Sequence, residues 1–133
     1  MSDQNSAVVL RWFNEVWNNS NEHAIDEMFH PDGKAHGLGS EPLKLQEFKA
    51  FYQKMNNLLA DIKVSVDKTL TDNDHVIAMC TVHATHRQTN KPVTFTGVSI
   101  GKIGNNQIIE AWNYFDFLNL NLQLGNITHE QLA

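Results

Sequence analysis

HVIAMCTVHATHR, residues 75–87, decides the fold. Val76, Ala78, Cys80, Val82 and Ala84 fall on one side of an extended chain, and His75, Ile77, Met79, Thr81, His83 and Thr85 on the other. That two-residue period belongs to a strand with one face in a core. At about 3.3 Å per residue such a strand is roughly 40 Å long, so it must twist and coil. Downstream, Thr89-Asn90-Lys91-Pro92 turns the chain into a second strand over 93–103, and Gly104-Asn105-Asn106 turns it again into a third over 107–115. Upstream, Ile62, Val64 and Val66 alternate with Lys63, Ser65 and Asp67, and Thr71-Asp72-Asn73-Asp74 makes the turn that follows. The reading is four strands in an antiparallel meander.

The residues before this meander change period. Val9, Trp12, Phe13 and Val16 recur at helical spacing, and the run Asn18-Asn19-Ser20-Asn21 ends that segment. A short helix with Ala24, Ile25, Met28 and Phe29 on one side follows, stopped by Pro31, Asp32 and Gly33. After a loop carrying His36, Gly37 and Gly39, a third helix begins near Pro42, with Leu45, Phe48, Tyr52, Met55 and Leu59 as its apolar stripe. Helices segregated to one side of an antiparallel sheet define an α+β domain. No repeat or linker divides the chain, so residues 1–133 form one domain. A coiled sheet closed by helices encloses a pocket, and its outer face, with Ile77, Met79 and Thr81, suits a homodimer interface.

Charge and composition narrow the partners. The net charge is −5 and the ten basic residues are scattered, so neither a nucleic acid nor an anionic membrane is an expected partner. The N-terminal residues lack the pattern of a secretory signal, no apolar run reaches bilayer length, and the single cysteine, Cys80, reads as a buried thiol. These features together point to a cytoplasmic protein. Seven histidines invite a metal site, but His83 and His86, three apart on a strand, point to opposite faces, and no metal motif is present.

Several motifs carry a family likeness. Phe95-Thr96-Gly97, Asn105-Asn106-Gln107-Ile108-Ile109-Glu110-Ala111-Trp112, Asp116 and Gln123-Leu124-Gly125 together resemble the C-terminal signature of SnoaL-like polyketide cyclases. Trp12 to Asn18, His36-Gly37 and Thr85-His86 are similar to that family's first helix, post-helix loop and strand end. The resemblance implies a cystatin-like, nuclear-transport-factor-like cone: three N-terminal helices packed on a strongly curved antiparallel sheet around a ligand cavity. It also implies a dimer, no metal and no organic cofactor; the expected ligand is a small apolar, carbonyl-bearing molecule. Cyclases of the family use an Asp on the final strand as general acid/base, a position Asp116 resembles. They carry a His on the preceding strand, where this chain has Val98, Ser99 and Ile100.

Counting in twos from Ile108 places Glu110, Trp112, Tyr114 and Asp116 on one face, so Trp112 and Tyr114 are expected to line the cavity with Asp116. Among aromatic rings a carboxyl group loses hydration, which raises its pKa toward the range useful for proton transfer. Alternatively, Asp116 caps the helical segment 117–124. His86 ends the inward row of the long strand and either orients a substrate carbonyl, shares a proton with Asp116 or lies solvated at the turn. His36 is either a lid residue over the ligand or an exposed loop side chain. Phe51 and Phe95 are core residues that double as cavity wall. Two functions follow: a cofactor-free acid/base enzyme of cyclase, isomerase or dehydratase type, or a binding protein that holds its ligand unchanged.

Overall fold

In the computed structural model, which describes residues 2–132, the chain runs α1 (Ser2–Trp12), a π-helical turn (Phe13–Asn18), α2 (His23–Met28), β1 (Phe29–His36), α3 (Leu45–Leu58), β2 (Leu59–Asp72), β3 (His75–His86), β4 (Pro92–Gly104), β5 (Gln107–Phe115), α4 (Phe117–Leu124) and α5 (His129–Leu132). The strands form one sheet in the order β1-β5-β4-β3-β2. From β2 to β5 it is the antiparallel meander read from the sequence. Asn73, Asn90, Asn105 and Asn106 take positive φ in its turns, a conformation that Asn tolerates better than most residues.

β1 corrects the sequence reading. α2 ends at Met28, ahead of Pro31, Asp32 and Gly33, and those three residues lie within a strand that His36 closes where a loop was expected. β1 pairs parallel to β5, so the sheet is mixed and has five strands. Pro31 is tolerated because β1 is an edge strand and needs no donor on its open side. Its ladder also breaks between Phe29 and Lys34, which takes Pro31 and its neighbours out of register.

The concave face of the sheet carries the core. Val76, Ala78, Cys80, Val82 and Ala84 of β3 are all buried, as their alternation requires. Desolvation, reinforced by the negative charge of Asp67, pushes the Cys80 thiol up to about 12, consistent with a packing role. α3 lays Phe48 and Tyr52 against the same core. The wider π-helical turn holds that helix and the sheet edge together. Tyr52 Oη donates to the Val16 carbonyl at 2.9 Å. The Asn18 amide both accepts from Val64 N–H at 2.5 Å and donates to the Val64 carbonyl at 3.0 Å, substituting for a strand neighbour along β2. Among the described residues, no helix is long and apolar enough to cross a membrane.

Candidate functional site

The sheet's concave face, the end of α1, the π-helical turn and α3 enclose a half-open cavity of about 70 Å³. Trp12, Phe13, Phe48, Val82 and Phe95 are buried in its depth, while Trp17, Leu38, Phe51, Met55 and Phe117 form a half-buried rim. The rings brace one another: Trp12 and Phe48 have centroids 5.4 Å apart, and Phe95 and Phe117 6.0 Å. An adjoining space of about 30 Å³ shares Trp12, Phe13, Phe48 and Asn113 with the first and extends to Ser99 and Gly101. No residue lining either space carries a carboxylate, an imidazole, an amine, a thiol or a phenol.

Apart from the indoles, the polar side chains of this lining are Ser99 and Asn113. They sit directly opposite each other on β4 and β5. Ser99 Oγ donates to Asn113 Oδ1 at 2.9 Å, and Asn113 Nδ2 donates to the His36 carbonyl at 3.0 Å. That carbonyl reaches Asn113 because Gly37 adopts φ +86° and its backbone lies against Asn113. A Cβ at Gly37 would stand 1.9 Å from the Asn113 carbonyl oxygen. A second glycine shapes the wall in the same way. A Cβ at Gly97 would fall 2.2 Å from the Phe115 ring, so Gly97 lets that ring lean across β4.

Asn113 faces inward because β5 contains a bulge. Ile103 pairs with Ile108 and Lys102 with Glu110, leaving Ile109 as the extra residue. The bulge reverses the alternation, so Ile108 and Ala111 are both buried, and Asn113 and Phe115 continue the inward row. Trp112 and Tyr114, expected in the cavity, turn instead to the outer face, where Tyr114 is 65% exposed. Counting backwards from Phe115 would have found Asn113; counting forwards from Ile108 crosses the bulge.

The other sequence-selected residues are dispersed. Phe51 and Phe95 stand in the cavity wall. Asp116 is exposed and caps α4, its carboxylate accepting from Asn119 N–H at 2.9 Å. It borders an open outer groove together with Tyr114, Thr96 and Asp67. Hydrogen bonds from Thr81 and then Ser65 hold the Asp67 carboxyl below its usual range. His86 is buried at the end of β3, where Nδ1 meets Thr89 Oγ1 at 2.9 Å within the turn. The His36 ring lies on the outer face, stacked on Trp112 with Nε2 2.6 Å from Glu110 Oε2. The structure therefore does not bring Asp116, His86 and the His36 ring into the cavity lining. Among the described residues, no three His, Cys, Asp or Glu side chains converge as metal ligands would.

The profile of the SnoaL-like polyketide cyclase family matches residues 7–124, most of the chain. This protein belongs to the SnoaL-like polyketide cyclase family. Solved structures share its fold at low identity. AclR from Streptomyces galilaeus superimposes with a TM-score of 0.86 at 18% identity, covering 96% of this chain and 99% of its own. IdmH from Streptomyces antibioticus gives 0.82 at 20% identity, with 92% and 99% covered. A protein of ketosteroid isomerase-like fold from Catenulispora acidiphila, solved in complex with trimethylamine, gives 0.78 at 16% identity, with 89% and 92% covered. No curated protein matches the chain by sequence.

Family membership sharpens the meaning of the Ser99–Asn113 pair. The SnoaL-like resemblance implies an Asp on the last strand and a His on the strand before it. In this SnoaL-like chain those two strands bring an amide and a hydroxyl together inside the cavity. Neither group gains or loses a proton in the working pH range.

Proposed function

We propose that this SnoaL-like chain is a small-ligand cavity protein that holds an apolar molecule among its aromatic side chains without acid/base help from Asp116 or His86. The observation that carries this reading is the wall itself: rings and aliphatic side chains around one amide and the serine hydroxyl bonded to it, with no titratable group. An engineered pocket of roughly 150 Å³ holds benzene. A cavity of about 70 Å³ with an open mouth would seat part of such a ring and leave the rest at the rim.

Family membership favours a second reading, acid/base chemistry with Asp116 as proton shuttle and His86 as its partner. Acetophenone separates the two, because its methyl protons exchange with deuterium oxide only when a base removes them. The binding reading expects saturable binding by calorimetry, with an affinity that is flat from about pH 5 to about pH 9, since no lining group titrates there. It also expects methyl exchange no faster than in buffer. Accelerated exchange that falls by roughly 100-fold in Asp116→Asn, the usual scale of a general-base contribution, would instead establish the acid/base reading.

The outer face of the sheet supports a homodimer on this reading. Met79 and Tyr114 are exposed there, and covering them removes apolar surface from water. Light scattering at micromolar concentration is expected to give twice the chain mass; a monomer mass would discard the dimer and leave the cavity reading intact.

A further inference from the structure

The Ser99–Asn113–His36 chain of hydrogen bonds has a fixed direction. A backbone carbonyl can only accept, so the amide nitrogen of Asn113 must face His36. Its oxygen must then face Ser99, whose hydroxyl is compelled to donate. Both contacts have ordinary lengths, 3.0 Å and 2.9 Å. The amide cannot flip without setting oxygen against oxygen at His36. One N–H is therefore committed to the protein, and the other has no protein acceptor among the described residues. The surrounding wall is Trp12, Phe13, Phe48 and Phe115, which offer no acceptor of comparable strength.

An unfilled donor in an apolar wall costs more than the spare lone pair of an oxygen that already has one partner. We propose that Asn113 presents its free N–H to the cavity as a fixed donor, so that the natural ligand is an apolar molecule bearing a carbonyl or ether oxygen. Ser99 is the positioning residue, and Gly37 allows the His36 carbonyl to take up the first N–H. The donor neither loses nor gains a proton, so it orients and polarises the ligand oxygen at every pH at which the protein is folded. This inference rests on the cavity reading above and adds to it the polarity of the recognised group.

The test compares two probes of matched shape, acetophenone and ethylbenzene, on wild type and Asn113→Leu. The comparison cancels the difference in how readily the two probes leave water. The proposal expects the substitution to weaken acetophenone relative to ethylbenzene by about tenfold, the upper range for one hydrogen bond. It also expects acetophenone, and not ethylbenzene, to move one Asn113 side-chain amide proton downfield in the wild-type nitrogen–proton spectrum. This second readout decides the matter if the variant fails to fold. Equal losses for both probes, or an amide proton indifferent to the ketone, would overturn the donor assignment while leaving the cavity reading standing. Failure of both probes to bind wild type at millimolar concentration would remove the cavity reading, and the donor assignment with it.

Discussion

Phe48→Ala is expected to destabilise the protein by about 3–5 kcal/mol, the range for a truncated core aromatic. Phe48 is 4% exposed and packs among four rings: its centroid lies 5.4 Å from Trp12, 5.5 Å from Phe29, 6.1 Å from Phe51 and 6.5 Å from Trp17. It is also wall to both the main cavity and the adjoining space, so removing the ring should merge them. The variant should then regain part of its lost stability when an apolar ring compound fills the void, by the mass-action rule that ligands binding only the native state stabilise it. Chemical denaturation with and without saturating ethylbenzene checks both halves. A loss below about 1 kcal/mol, or no recovery with ligand, would mean that Phe48 neither anchors the core nor borders the ligand space.

Gly37→Ala is the second large effect. Alanine at φ +86° is strained, and its Cβ would overlap the Asn113 carbonyl oxygen at 1.9 Å, a backbone atom that cannot swing aside. The expected loss is about 2–4 kcal/mol, read as a drop in melting temperature of roughly 10 °C. Relief of the clash requires the end of β1 to move away from β5, which withdraws the His36 carbonyl from the Asn113 amide. The Asn113 side-chain resonances should therefore shift in Gly37→Ala even where the fold survives. An unchanged melting temperature with unchanged amide resonances would show that this close approach does not position the amide.

The His36-Gly37 pair illustrates how much of the molecule was legible in the sequence. As a motif it pointed to the family, but its physical work belongs to the glycine φ and the histidine carbonyl, while the imidazole lies outside on Trp112. The alternation of residues 75–87 was readable because the inner face of β3 is buried along its length. β1 was not readable: Pro31 and Gly33 are turn residues by propensity, and only pairing with β5, a partner far along the chain, makes an edge strand of them. The face of β5 was lost to one residue, Ile109, because bulges come from register against a neighbouring strand. Asp116 carried two open roles, and the carboxylate–Asn119 bond is the geometry of the cap. Phe51 and Phe95 reach the wall because a half-filled core and a ligand site use the same apolar side chains.

The central claim is that the ligand lies in the aromatic cavity beside Asn113 and not in the outer groove beside Asp116. Intermolecular nuclear Overhauser contacts from the ring and methyl protons of bound acetophenone measure this directly. The account predicts contacts to Trp12, Phe48, Phe95 and the Asn113 side-chain amide. Contacts to Met79, Tyr114 and Val98 of the outer groove, with none to Trp12 or Phe48, would contradict it.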